Sequence, residues 1–173
     1  LRQRERVHAE RWRHYRVILA KRTVGIRQVG ERREFIFAED GAVPRQRIGS
    51  TLVAVSARAL GWLQDDLRSH EDNIGAEEIA AMIERFSAED YERTIAAFGR
   101  PSDVDADGRI SFLFTHLVDE MENVAGFYSS SSVLPEDIGG DGNRTDLLFI
   151  SPTQPRANYR SLLVHEFQHL INF

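Results

Sequence analysis

His165, Glu166 and His169 stand in the segment Val164-His165-Glu166-Phe167-Gln168-His169-Leu170, an H-E-x-x-H pattern in a stretch that reads as helix. A helix turns about 100° per residue, so His165 and His169 lie one turn apart and about 40° around the axis. Two imidazoles so placed can converge on one zinc ion at about 2.0–2.1 Å. Glu166 projects about 100° round from His165, beside such an ion rather than on it. From there its carboxylate can take a proton from the water the ion activates and pass it to a leaving amine. Leu163, Val164, Phe167, Leu170 and Ile171 cover the other side, which predicts a buried helix. Burying two imidazoles and a carboxylate without partners costs several kcal/mol, and an ion with its water removes that cost.

Two ligands do not complete such a site, because catalytic zinc takes three protein ligands and a water. The extended pattern H-E-x-x-H-x-x-G-x-x-H requires Gly at position 172, where this chain has Asn172. That points to a Glu on a later helix, past Phe173, as the third ligand, with His116, Asp119 and Glu120 as upstream alternatives. The chain starts at Leu1 rather than Met and stops at Phe173 within the predicted helix, so it reads as a fragment with an incomplete zinc site.

A second set of oxygen ligands is Asp103, Asp105 and Asp107, alternating through a turn that ends at Gly108. Acids at positions 1, 3 and 5, Gly at 6 and apolar Ile110 at 8 match the first half of an EF-hand loop. Position 12 is Phe114 instead of Glu, and the segment that follows reads as strand, so this is not an EF-hand. Two readings stand: a calcium loop in another frame, completed by Asp119 or Glu120, or an Asp-rich solvated turn. The Gly-rich stretch 137–146 is a turn by composition, with a second cation site as the alternative reading. The serines at 129–132 form a loop. No His and Asp stand at a spacing that would make one of them a nucleophile. His8, His14 and His70 read as surface residues, and His116 as a structural residue of an apolar strand.

These residues must be held by an α+β arrangement, a mixed sheet with helices and the H-E-x-x-H helix at its C-terminal end. Strands are predicted at 34–38 (ended by Asp40-Gly41), 50–55, 110–117, 126–129 and 145–151. Residues 57–67 admit either a helix or a strand, and 1–22 a short helix or strand. Helices are predicted over 76–86, from 88 to 98, and from about 157 to the end. Ser87 and Asp90 are spaced close to a capping box that would start the second of these, and Gly99 and Pro101 stop it.

The 173 residues are 42% hydrophobic and 28% charged, a water-soluble composition for one domain or half of a larger one. No run is apolar enough for a transmembrane helix, so no membrane partner is expected. The chain has no Cys, which excludes disulfides and thiolate metal sites. Residues 1–33 carry net charge +8 and residues 34–173 net −13. The first segment reads as a basic arm or linker, the second as the domain. A basic arm can bind nucleic acid. Against that partner, 21 of the 22 basic residues are Arg throughout the chain, a general preference rather than a local adaptation to phosphate.

The segment His165-Glu166-Phe167-Gln168-His169-Leu170-Ile171-Asn172-Phe173 resembles the hyicolysin family of secreted bacterial zinc metallopeptidases, within the thermolysin-like gluzincins. Asp103-Val104-Asp105-Ala106-Asp107-Gly108 before an apolar strand, Gly126-Phe127-Tyr128, and Leu147-Leu148-Phe149-Ile150 extend the resemblance over about residues 35–173. It implies a zincin-like N-terminal subdomain, truncated after the motif helix. It also implies His165 and His169 as zinc ligands, Glu166 as catalytic base, a downstream Glu as third ligand, secretion, and a protein or peptide substrate. One of the later strands would offer its edge to that substrate. The alternative function is a non-catalytic, cation-stabilised binding domain with an incomplete metal site.

Overall fold

In a computed structural model describing residues 26–38, 45–68, 70–134, 136 and 140–172, strands form where buried apolar residues alternate with less buried ones, as at Phe35 and Phe37, or run on both faces, as in Leu147–Ile150. The start of the basic arm, with His8 and His14, lies outside the described residues, as do the Asp40-Gly41 turn and residues 137–139. Six strands of the described residues form one sheet: β1 Arg32–Phe37, β2 Gln46–Val55, β3 Ala59–Gln64, β4 Ile110–Phe114, β5 Gly126–Tyr128 and β6 Leu147–Ile150. Their order is β1-β2-β3-β4-β6-β5. The first three strands are antiparallel, β3, β4 and β6 run parallel, and β5 returns antiparallel along β6. The fold is α+β with a mixed sheet, as the sequence predicts.

The last residues of the basic arm belong to this sheet. Gly30 donates to Leu52 O at 2.8 Å, and Leu52 N donates to Glu31 O at 2.8 Å, which leads directly into β1. The ambiguous stretch 57–67 resolves as β3. Ala59, Leu60, Gly61 and Trp62 are all buried, so the alternation that marks a half-exposed strand is absent. The strand predicted at 110–117 stops at Phe114, where the chain turns through residues 116–120.

Two helical segments cover one face. Helix α1 (Ala76–Arg85) passes through a π-turn (Phe86–Asp90) into α2 (Tyr91–Phe98), and helix α3 spans Tyr159–Ile171. The capping box expected at Ser87 is not formed, because the helix runs through this point. Ser87 Oγ instead accepts from the Arg58 N–H at 3.1 Å. The reciprocal contact at a helix start is made by Glu78, whose Oε2 accepts from Gly75 N–H at 3.0 Å.

The sheet sorts its side chains by period two. Ala59, Phe112, Phe114, Leu148 and Ile150 face the helices and pack with Ile79, Ile83, Phe86, Tyr91, Leu163, Phe167 and Leu170. Leu60, Trp62, Leu113, Leu147 and Phe149 face the other way and pack with Phe35, Phe37, Ile48, Leu117 and Val118. A Cβ at Gly61 would come within 2.7 Å of Ile79 Cγ2, so the absence of a side chain there lets α1 sit close on β3.

Candidate metal centre

Helix α3 is fixed to the domain along three sides before it presents its histidines. Phe167 stacks on Tyr91, with ring centroids 5.3 Å apart, and meets Phe86 edge-on at 5.4 Å. Tyr159 donates its hydroxyl to Ser151 O at 3.1 Å. Arg160 grips Asp90 through Nε (3.1 and 3.2 Å) and Nη2 (2.7 Å). Asp90 closes the π-turn, which carries its carboxylate toward the first turn of α3. This anchor was not legible in the sequence, since no spacing rule marks a π-turn.

On this helix the Nε2 atoms of His165 and His169 lie 3.1 Å apart. The two rings are nearly perpendicular, at 85°, with centroids 4.7 Å apart. At this separation an Nε2–H of one ring can donate to Nε2 of the other, the direction being set by the tautomer. Tetrahedral zinc with bonds of about 2.0–2.1 Å separates two nitrogen ligands by about 3.3–3.4 Å, so the pair needs only a slight adjustment to chelate. The donor set therefore fits the ion the motif implies. The burial expected for both imidazoles is not found: His165 and His169 are exposed, and only Glu166 of the three is buried. The helix buries the Leu163, Phe167 and Leu170 side, which leaves the imidazoles on its open face.

Glu166 is 4% exposed, and burial pushes its carboxyl up to about 7. It lies against β5: a Cβ at Gly126 would come within 3.0 Å of Glu166 Cγ, 3.1 Å of Phe149 O and 3.2 Å of Ile150 Cδ1. The bare backbone of Gly126 is thus what lets β5 close over this carboxylate. Strand β5 is the last of the sheet order and pairs with β6 alone, so its outer edge has no strand partner among the described residues. Beside it, Ala125, Gln154, Asn158, Ser161, Leu162 and His165 line a cleft of about 370 Å³.

The upstream alternatives for a third ligand go elsewhere. Asp119 accepts from Ser151 Oγ and from Thr153 Oγ1, and Glu120 pairs with Arg68 at 2.8 Å. His116 lies in the turn after β4, not in the strand, and its Nδ1 is buried without a partner among the described residues. No third His, Asp or Glu among the described residues joins His165 and His169 in a ligand-sized group.

Asp103, Asp105 and Asp107 do form such a group, with carboxylate oxygens within 4.8 Å of one another. One oxygen of each is fixed by a hydrogen bond, with Asp103 itself exposed: Asp103 Oδ1 accepts from Gly108 N at 2.9 Å, Asp105 Oδ2 from Thr145 Oγ1 at 2.7 Å, and Asp107 Oδ1 from Arg109 N at 2.8 Å. The remaining oxygens Asp105 Oδ1 and Asp107 Oδ2 are buried without a partner among the described residues. Burial, then the Asp105 charge, pushes Asp107 up to about 6. Asp119 and Glu120 do not complete this loop, as their partners above show.

Sequence reasoning missed Asp146 here. It is fully buried, accepts from Ser102 Oγ at 2.5 Å and Val104 N at 2.7 Å, and is pushed up to about 7, chiefly by burial. The described residues of the Gly-rich turn form no second cation cluster. Asn143 instead bonds Ile36 N and Ile36 O, both at 2.7 Å, and so pairs the edge of β1. His70 is exposed, as expected, and no described helix is long and apolar enough to cross a membrane. Neither the known protein-family models nor the curated proteins contain a match to this chain.

Proposed function

We propose that this chain carries the metal-binding and base-bearing helix of a secreted zinc-dependent endopeptidase of the zincin-like, hyicolysin-like kind. The observation that carries the reading is the convergence of two imidazole nitrogens at 3.1 Å beside a buried carboxyl on the same helix. His165 and His169 would hold the zinc through Nε2, and on this reading the third protein ligand comes from outside the described residues. When bound, zinc lowers the pKa of water to about 7 and polarises a carbonyl.

The chain's own residues do the rest. Strand β5 offers its outer edge to an extended peptide, which pairs with it through main-chain hydrogen bonds. Glu166, poised near neutrality by burial, accepts a proton from the water whose oxygen adds to the scissile carbonyl carbon. As the C–N bond breaks, Glu166 returns that proton to the amine nitrogen. The fixed loop of Asp103, Asp105 and Asp107 takes a calcium ion through its two unpaired oxygens, which stabilises the fold remote from the reaction.

Zinc content and peptide hydrolysis, measured together, test this reading. His165→Ala and His169→Ala should each abolish tight zinc binding. Glu166→Gln should retain zinc and lose about 10²–10⁴-fold in hydrolysis rate. Hydrolysis unchanged in Glu166→Gln overturns the mechanism. A second reading, a non-catalytic cation-stabilised binding domain, is favoured by the lack of a third ligand among the described residues. It expects calcium but no zinc, and no cleavage by any variant.

A further inference from the structure

An open cleft of about 370 Å³ beside His165 is lined by half-buried Gln154 and exposed Asn158 and Ser161, with Ala125 and Leu162 as its apolar contributions. None of its lining residues is an acid, a lysine or an arginine. Gln154 is oriented by its own hydrogen bond, Nε2 to Ser151 Oγ at 3.1 Å, which leaves Oε1 as an acceptor with no partner among the described residues. The Asn158 side chain makes no capping bond and has no partner among the described residues, so it offers both a donor and an acceptor. Ser161 spends its proton on Asn158 O at 2.8 Å and keeps oxygen lone pairs. Ala125 directly precedes β5, so a peptide lying along that edge passes the mouth of this cleft.

We propose that this cleft selects a carboxamide side chain, Asn or Gln, at the substrate residue next to the bond held at His165. The inference rests on the peptidase reading and names its substrate class. A carboxamide presents one donor group and one acceptor, matching Asn158 and Gln154, while its methylenes lie against Leu162 and Ala125. A large apolar side chain would bury the two amides without partners, and sites built to bond a polar group reject analogues that lack it. A charged side chain would meet no opposite charge.

The test uses the intact zinc-loaded protein and fluorescent peptides that differ at one residue: Gln, Asn, Leu, Glu or Lys. Binding to the Glu166→Gln protein is read by anisotropy, and cleavage position in the unsubstituted protein by mass spectrometry. The expected result is at least about tenfold tighter binding of the Gln or Asn peptide than of the Leu peptide, with the amide residue adjacent to the cut bond. Asn158→Asp, nearly isosteric, should shift the preference to Lys, and Gln154→Leu/Asn158→Leu should shift it to Leu. A ranking identical in all three proteins overturns the proposal and leaves the peptidase reading intact. Zinc bound with neither binding nor cleavage of any peptide overturns the peptidase reading together with the proposal. Absence of both zinc and cleavage overturns the reading together with the proposal.

Discussion

The contrast within the H-E-x-x-H segment, exposed imidazoles beside a buried carboxyl, depends on one backbone position outside it. Gly126 gives up a side chain so that β5 can rest on Glu166, and the resulting burial raises that carboxyl. Gly126→Ala should force Glu166 or the strand aside, at a cost of about 1–3 kcal/mol in urea unfolding. Zinc binding should persist in that variant, because the imidazoles lie on the open face, while hydrolysis falls. Equal loss of zinc and hydrolysis would show instead that the whole helix has moved. The proximity of the two imidazoles was legible in the sequence because side chains four apart on a helix are neighbours. The exposure of the imidazoles was not, since helix periodicity identifies the apolar face without saying what lies across from the other.

The strands and helices were legible where one physical cause dominated. Leu147–Ile150 is an unbroken apolar run and Ile110–Phe114 is interrupted only by the small Ser111, as strands buried on both faces should be. At β3 the small residues Ala59 and Gly61, selected by close helix packing, erased the pattern. At Ser87 local capping chemistry pointed to a helix start, while the tertiary contacts of Phe86 and Asp90 carry the helix through in a π-turn. Phe167 seats α3 on the other helices, being fully buried against Tyr91 and Phe86. Phe167→Ala should cost about 3–5 kcal/mol in chemical denaturation. A cost below about 1 kcal/mol would mean that α3 is held by its ion pair with Asp90 rather than by its aromatic seat.

For the molecule as a whole, buried acids make stability depend on pH and on cations. Asp107 and Asp146 have carboxyls raised to about 6 and about 7, from an ordinary value of 3.8. Between the ordinary and the raised value, the folded chain keeps protons that the unfolded chain has lost. Stability without cations should therefore fall as pH rises from about 4 to about 7 and level off above. Calcium at 100 times its Kd should restore about 2.7 kcal/mol, measured as a higher midpoint of thermal unfolding at pH 7.5 and a smaller gain at pH 5. Asp105→Asn/Asp107→Asn should remove the calcium response and raise the cation-free midpoint at pH 7.5. A calcium response that survives this double substitution would place the ion elsewhere. The alternating acids were legible as carboxylates gathered in one turn, whereas Asp146, distant in sequence and hidden in a Gly-rich turn, became visible only once β6 lay beside β4.

X-ray absorption at the zinc edge, on the intact protein purified without added metal, tests the central claim most directly. The expected spectrum has two imidazole nitrogens at about 2.0–2.1 Å from the ion, and His169→Ala purified in the same way carries no zinc signal. A protein that retains no zinc, or zinc whose spectrum is unchanged by that substitution, would contradict the account.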